Sequence, residues 1–153
     1  MTTTTAPQLA LTRTFNASRA LVYQAFTDPD QFAKWWGPIG NALPREEMQF
    51  DTRPGGYQQW TEVLPADPSV RVRIRIDLTD VVDGELLDGT LRVRGQLPGG
   101  HEPFETRMRL EFHDEADGQT RVEVRQWLPE HLVSPTDNGW SEAFSKLDAL
   151  LAA

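Results

Sequence analysis

Tryptophans beside glycine and proline breaks, near both ends of the chain, constrain the fold most strongly. Trp35-Trp36 is followed directly by Gly37-Pro38, and Gly139-Trp140 opens the last helical stretch. An indole side chain needs a large apolar surface to cover it. A chain of 153 residues, 39% of them hydrophobic, is long enough to build one substantial core. The pattern therefore predicts a long C-terminal helix and a curved sheet that enclose an apolar space.

Composition and charge narrow the classes of protein to which this chain can belong. It has no cysteine, which excludes disulfides and thiolate chemistry, and its net charge of −8 disfavours binding to nucleic-acid phosphates. No apolar run approaches the roughly 18 residues of a membrane span. Residues 1–7 lack the basic and apolar regions of a signal peptide. We therefore expect a cytoplasmic protein without membrane insertion and without a nucleic-acid partner.

The first part of the chain predicts one strand followed by two short helices. Residues 9–15 form the strand, and residues 1–8 before it are predicted to be a flexible tail. Ser18 offers a side-chain oxygen to the start of the first helix. Asp28-Pro29 provides the cap and the first residue of a second helix, which Gly37-Pro38 ends.

The middle of the chain alternates apolar and polar residues, as the strands of a half-buried sheet do. Short turns at residues 53–56 and 83–84 separate some strands, residues 65–68 are predicted to break the sheet, and residues 97–100 to form a loop. Such short connections favour antiparallel pairing. The predicted strands are residues 44–51, 57–64, 70–79, 87–93, 104–113 and 120–127.

The last twenty residues predict a long amphipathic helix. Ser134 is placed as its cap and Pro135 as its first residue. Trp140, Phe144 and Leu147 form an apolar stripe that needs a broad partner surface, which the inner faces of the strands can supply. The chain is therefore predicted to be an α+β protein, with a curved antiparallel sheet of six to seven strands around the C-terminal helix and two short N-terminal helices.

The order of these elements, together with several short motifs, resembles a known family. The chain is similar to the START-like, or SRPBCC, superfamily with its helix-grip fold, and within it to homologues of the activator of the heat-shock-protein-90 ATPase. The resemblance covers nearly the whole of a single predicted domain, residues 9–153. The matching residues are Val22, Thr27-Asp28-Pro29, Trp35-Trp36-Gly37-Pro38, Asp51-Thr52-Arg53-Pro54-Gly55-Gly56, Gly139-Trp140 and Leu147.

The resemblance implies an apolar cavity between the sheet and the C-terminal helix. The superfamily includes lipid carriers, hormone receptors, polyketide cyclases and co-chaperone domains, so the fold alone does not choose a function. We expect a protein, monomeric or homodimeric, that sequesters an apolar or aromatic metabolite or lipid without a cofactor. The alternatives are a chaperone-associated interaction module and a cyclase- or hydrolase-like enzyme that uses the same cavity.

The candidate cavity residues are large apolar side chains and a few polar ones on inward faces. The tryptophans fit either core packing or stacking on a flat ligand, and the sequence leaves both open. The polar residues on the inward faces of the strands each need a protein partner, water or a ligand, because a buried polar group must be hydrogen-bonded. They are Gln58, Glu62 and Gln126. The predicted lining is Trp35, Trp36, Gln58, Trp60, Glu62, Ile74, Leu91, Phe104, Met108, Gln126, Trp140 and Phe144.

Candidate catalytic and metal-binding groups are few. Glu62 is the one carboxylate that we would place in an acid–base reaction in the cavity. His101, His113 and His131 show no metal-ligand spacing, and the sequence has neither a phosphate-binding loop nor a nucleophile elbow. We therefore expect no metal and no cofactor. Gly139, inside the last helix, is predicted to let a strand or a ligand approach closely.

Arginines and carboxylates alternate on the outward faces of the predicted strands. Residues 71, 73 and 75 are arginines on one strand, and Asp77 follows them in the same alternation. Opposite charges on neighbouring strands stabilise a sheet. The pattern predicts a solvated outer face of cross-strand ion pairs, and it also predicts that Asp51 and Arg53 pin the turn before Gly55-Gly56.

Overall fold

A seven-stranded antiparallel sheet and one long helix make up most of the structure. The computed structural model describes residues 6–37, 42–64, 67–95 and 103–152. Short 3-10 helices cover Arg45–Glu47, Ala116–Gly118 and Glu130–Leu132. The main elements are β1 (Leu9–Phe15), α1 (Arg19–Thr27), α2 (Pro29–Trp35), β2 (Gln49–Asp51), β3 (Tyr57–Leu64), β4 (Asp67–Val82), β5 (Leu86–Gly95), β6 (Phe104–Asp114), β7 (Thr120–Gln126) and α3 (Val133–Ala152).

The strands form one curved sheet in the order β1-β7-β6-β5-β4-β3-β2, with every neighbouring pair antiparallel. Its buried face alternates along each strand with a polar outer face, as in β7, where Val122 and Val124 are buried. The helix α3 lies against the inner face and buries Trp140, Phe144 and Leu147. The predicted fold class and strand arrangement are confirmed.

Aromatic side chains from the helices and the sheet pack edge to face in the core. The ring of Phe26 lies 4.7 Å from Trp35 and 5.1 Å from Phe112, measured between ring centroids. Phe15 of β1 meets Phe144 of α3 at 5.2 Å. Edge-to-face pairs of this kind stabilise by about 0.5–1.5 kcal/mol beyond the area that they bury. This cluster joins α1, α2 and α3 to the sheet.

The break between α1 and α2 leaves two carbonyls that helix geometry cannot satisfy. The carbonyl of Ala25 would ordinarily accept from the residue four positions later, but that residue is Pro29 and has no N–H. The indole Nε1 of Trp35 donates to this carbonyl at 2.8 Å. The Nε2 of Gln58 donates to the next carbonyl, that of Phe26, at 3.3 Å. Trp35 and Gln58 therefore complete the end of α1.

The turn between β2 and β3 is held by the pair that the sequence singled out. Arg53 Nε donates to both carboxylate oxygens of Asp51, at 3.0 and 2.9 Å. Gly55 has φ of 81°, in the left-handed region that glycine favours. A Cβ at Gly56 would lie 2.0 Å from the carbonyl oxygen of Asp51, so only glycine fits there. The local hydrogen bonds that were predicted for this turn are present.

Several element boundaries differ from the predictions. Residues 44–51 were expected to be one strand, but Pro44 starts a 3-10 turn and only Gln49–Asp51 pairs with β3. The strand β4 begins at Asp67, inside the predicted break, after a register shift in its pairing with β3. Ser134 does not cap α3, because the 3-10 turn Glu130–Leu132 runs into a helix that starts at Val133. The predicted loop at residues 97–100 lies outside the described residues.

Ion pairs cover much of the outer face, as predicted, and one of their carboxylates is buried. The side chain of Asp88 on β5 is 3% exposed. Arg107 Nη2 donates to it at 2.8 Å and Arg109 Nη1 at 2.9 Å. The neighbouring Glu111 accepts from Arg109 and His113, and the first of these bonds is the main reason that its pKa lies below the ordinary value of 4.5. The outer face is thus a connected network rather than a set of isolated pairs.

Replacing Asp88 with asparagine is expected to lower the free energy of unfolding by about 2 kcal/mol, because a buried carboxylate that accepts from two guanidinium groups is lost. Urea denaturation measures this effect. Glu105→Gln is the matched control, since Glu105 is half-exposed and pairs with Arg92. That change should cost under about 1 kcal/mol. Equal losses in both variants would contradict the special role assigned to Asp88.

Candidate functional site

A cavity of about 220 Å³ lies between the inner face of the sheet and the first half of α3. Strands β3 to β7 contribute its floor, and α3 together with the end of α2 contributes the opposite wall. Its surface is mainly apolar. The lining residues are Trp36, Gly37, Glu62, Ile74, Leu91, Val93, Phe104, Gln126, Leu128, Pro135, Thr136, Gly139, Trp140 and Ala143.

Among the residues that the structure describes, Glu62 is the one carboxylate on the cavity wall, and two indole groups donate to it. Trp36 Nε1 donates to Glu62 Oε2 at 3.2 Å, and Trp60 Nε1 donates to the same oxygen at 3.4 Å. Glu62 is 8% exposed. A buried carboxyl group needs hydrogen-bond partners, and the two indoles supply donors to Glu62 Oε2. The arrangement makes Glu62 an acceptor that orients Trp36 at the rim of the cavity.

Gln126, at the end of β7, presents an oriented amide to the cavity. Trp140 Nε1 donates to Gln126 Oε1 at 3.1 Å. Because an indole N–H only donates, it selects the amide oxygen and turns the Nε2 group away from itself. Gln126 Nε2 has no hydrogen-bond partner among the residues that the structure describes, yet the side chain lines the cavity and is not sealed off from it. The site therefore contains a fixed amide donor.

Gly139 opens the cavity on the side of α3. A Cβ added at this glycine would meet no atom within 4 Å among the described residues. Of the two alternatives predicted for Gly139, the close approach of a strand is not found among the described residues. The residue borders open space, so the approach of a ligand stays a prediction. Glycine inside a helix costs about 1 kcal/mol relative to alanine. The helix thus carries a destabilising residue at the point where a side chain would enter the cavity.

Lys146 on α3 holds the backbone carbonyl of Trp36. Its Nζ donates to the carbonyl oxygen of Trp36 at 3.2 Å. Burial of the ammonium lowers the pKa of Lys146 below its ordinary value of 10.5, and the negative charge of Glu62 opposes that shift. Trp36 is therefore held at its indole by Glu62 and at its carbonyl by Lys146.

The structure divides the residues predicted to line the cavity into two groups. The indole of Trp35 and the amide of Gln58 instead serve the end of α1, as described above. Trp60, Met108 and Phe144 are buried in the core and lie outside the cavity wall. The predicted residues that do lie on the wall are Trp36, Glu62, Ile74, Leu91, Phe104, Gln126 and Trp140.

Some wall residues were missed from the sequence, although part of the signal was present. Val93 follows Leu91 on the same face of β5, so strand alternation pointed to it. Thr136 and Ala143 lie at helical spacing on the face of α3 that carries Trp140. Leu128 carried no such signal, because it follows the end of β7.

A histidine and two glutamates meet on the outer face, away from the cavity. Ligand atoms of Glu111, His113 and Glu123 lie within 4.8 Å of one another, because β6 and β7 place Glu111 opposite Glu123. Sequence spacing alone did not predict this grouping. Both carboxylates already accept hydrogen bonds from Arg125, at 2.5 and 3.1 Å. A metal ion would have to displace these bonds, so the group has the character of an ion-pair network.

The fold and the cavity together define a helix-grip protein, in which a curved antiparallel sheet surrounds a C-terminal helix. Residues 16–152 match the family described as activator of Hsp90 ATPase homolog 1-like protein. The chain belongs to this family, as its motifs predicted. Within the described residues, no helix combines the length and the hydropathy needed to cross a membrane.

Two solved structures with the same fold are distant from this chain in sequence. A Chromobacterium violaceum protein has 22% identity and a TM-score of 0.79, over 95% of this chain and 97% of that one. The AHSA1 protein from Silicibacter pomeroyi has 21% identity and a TM-score of 0.75, over 94% of this chain and 96% of that one. No curated protein is similar enough to count as a match. At these identities the likeness establishes the fold.

Proposed function

We propose that this protein binds a small, largely apolar molecule that carries one hydrogen-bond acceptor. The observation that supports this most directly is the open apolar cavity of about 220 Å³ beside Gly139. An interior that served packing alone would be filled by side chains, since protein cores are close-packed. Here the helix keeps a glycine where any larger residue would occupy the space.

The volume of the cavity limits the size of the ligand. An engineered cavity of about 150 Å³ holds benzene, while sites for drug-sized molecules span about 300–1,000 Å³. A cavity of about 220 Å³ lies between these values and suits a single substituted ring or a short branched chain. A whole phospholipid is too large, so within the range expected from the sequence we favour a small metabolite over a lipid.

The polar groups of the wall define the chemistry of the ligand. Gln126 Nε2 is a donor held in one orientation by Trp140, and it matches a carbonyl, ether or hydroxyl oxygen on the ligand. Glu62 already accepts from the indoles of Trp36 and Trp60, which suits a structural role better than proton transfer. We therefore favour binding over catalysis.

A ligand screen tests the proposal. The protein is titrated with a library of single-ring aromatics, short-chain ketones and long-chain lipids, and tryptophan fluorescence and melting temperature are recorded. Bound ligand stabilises the folded state by an amount that grows with the logarithm of its concentration over Kd, about 2.7 kcal/mol at a hundredfold excess over Kd. We expect responses from small rings and ketones. If no compound changed the fluorescence or the melting temperature, the proposal would be contradicted.

Gln126 is expected to set a preference for ligands with an acceptor. In the wild-type protein, a ligand such as acetophenone should bind about tenfold more tightly than ethylbenzene, which has a similar shape but no oxygen. In Gln126→Met the two ligands should bind about equally, because methionine offers no hydrogen-bond donor. The ratio within one protein is measured by calorimetry, and it cancels any general loss of stability in the variant. A ratio that is unchanged in Gln126→Met would contradict the role assigned to the amide.

A second candidate function is interaction with a chaperone, which the family description favours. The test is the ATPase rate of purified heat-shock protein 90 with and without this protein. Stimulation would support the interaction, and a rate that is unchanged at saturating protein would exclude ATPase activation. Neither result depends on the cavity, so the two candidates can be tested separately.

A further inference from the structure

The outer face of the sheet contains two arginines that form no ion pair with a carboxylate of the described residues. All arginines of the chain lie in the described residues, and every one except Arg73 and Arg94 forms an ion pair with a carboxylate. Arg73 and Arg94 form no ion pair and donate no side-chain hydrogen bond within the described part of the chain. The chain has a net charge of −8, so carboxylates are abundant.

The two unpaired arginines face each other directly. Arg73 on β4 is the register partner of Arg94 on β5, and Thr61 of β3 lies on the other side of Arg73. Both arginines line a groove of about 580 Å³ on the outer face. Like charges directly opposite each other destabilise a sheet pair. The protein therefore keeps an unfavourable arrangement at this position.

The carboxylates of the groove are already engaged. Glu47 accepts from the Thr61 hydroxyl at 3.2 Å and from Arg71, which holds the pKa of that carboxyl below its ordinary value. Asp77 accepts from Arg75 and from Arg92 at 2.8 Å each. Glu47 thus has one guanidinium partner and Asp77 has two, and neither carboxylate is hydrogen-bonded to Arg73 or Arg94. The charge of Arg73 acts on Glu47 only at longer range, as a minor cause of its lowered pKa.

The geometry points to a second binding site in this groove, in which Arg73 and Arg94 hold the phosphate group of a small soluble phosphate ester. A guanidinium presents parallel N–H groups to two oxygens, and the three free oxygens of a phosphate monoester can serve two such groups at once. A carboxylate has only two oxygens to share between them. An anion between the arginines would also relieve their repulsion.

The surroundings favour a small ester over a nucleic-acid chain. The groove is larger than a phosphate group alone, which leaves space for an organic portion beside Gln59 and Thr61. A polyanion would have to approach a protein of net charge −8 over a long contact, and electrostatic repulsion opposes that approach. A single phosphate group meets mainly the local positive charge.

Calorimetric titration with inorganic phosphate and with phenyl phosphate, at constant ionic strength, tests the site. We expect both to bind the wild-type protein, and Arg73→Gln and Arg94→Gln each to weaken binding by about tenfold or more. Arg13→Gln is the control with the same change in charge, since Arg13 lies on the edge strand β1, away from the groove, and pairs with Asp148. It should bind phosphate as the wild type does.

Melting curves without phosphate verify that the variants are folded. Arg73→Gln and Arg94→Gln should melt at or above the wild-type temperature, because each removes one of two opposed charges. Absence of phosphate binding by the wild type, or equal binding by all four proteins, would overturn the proposal. Neither outcome bears on the cavity, which lies on the other face of the sheet.

A vesicle experiment distinguishes a phosphate monoester on a membrane lipid from one on a soluble molecule. Phosphatidylcholine vesicles with phosphatidic acid present the group on a membrane, whereas phenyl phosphate presents it in solution. We expect the protein to stay in the supernatant when such vesicles are sedimented. Sedimentation with the vesicles that is lost in Arg73→Gln and Arg94→Gln would overturn the assignment to a soluble ester and give the site to a lipid headgroup.

Discussion

Replacing Trp35 with phenylalanine is expected to lower the free energy of unfolding by about 2–3 kcal/mol. The indole is fully buried, and its N–H satisfies the carbonyl of Ala25, which Pro29 cannot serve. Phenylalanine fills less space and offers no donor, so the variant loses packing and leaves a buried carbonyl unpaired. Trp35→Ala should cost more, about 3–5 kcal/mol. Urea denaturation followed by circular dichroism measures both changes.

Trp36→Phe is the matched control for this prediction. It removes the same atoms from the neighbouring indole, but Trp36 is only partly buried and lies at the rim of the cavity. We expect a loss of about 1 kcal/mol, from its hydrogen bond to Glu62. A loss at Trp36 equal to or greater than that at Trp35 would mean that Trp35 does not complete α1 in the way described.

Gly139→Leu is expected to weaken ligand binding by about a hundredfold or more while leaving the protein at least as stable. Leucine places four carbon atoms in the space beside Gly139, in a cavity of only about 220 Å³. It is also a better helix former than glycine by close to 1 kcal/mol. A substitution that abolishes binding by unfolding the protein also lowers its melting temperature. Lost binding with an unchanged melting temperature would therefore show that leucine fills the binding site.

Gly139→Ala serves as the graded control. A single methyl group gains the same helical stabilisation but takes up much less of the cavity, so affinity should fall between those of the wild type and Gly139→Leu. Calorimetric titration with the strongest ligand from the screen gives all three dissociation constants. Unchanged affinity in Gly139→Leu would place the binding site elsewhere on the protein.

Much of the fold could be predicted because its signals are local. Strict alternation predicted the strands, and Asp28-Pro29 predicted where one helix ends and the next begins. The predicted start of α3 was wrong. Ser134-Pro135 has the residue types of a helix cap, but the 3-10 turn before it leads directly into a helix that begins at Val133. Such continuity between two helices depends on backbone angles that no residue type specifies.

The cavity was harder to predict, because a side chain on the inner face of the sheet can be covered by a helix and need not border the cavity. Alternation places Gln58, Trp60 and Glu62 on one face of β3, yet only Glu62 reaches the cavity wall. The other two are covered by α1 and α2, and a sequence does not show which parts of a face a helix covers. The unpaired Arg73 and Arg94 were likewise hidden among alternating charges, because their isolation depends on the register of β4 and β5.

The most direct test of the account is a crystal structure of the protein with the strongest ligand from the screen. We predict the ligand between β5, β7 and α3, in contact with Trp36 and Trp140, with an oxygen within hydrogen-bond distance of Gln126 Nε2. A ligand bound on another surface, with the space beside Gly139 filled by repacked side chains, would contradict the central claim that this cavity is the binding site.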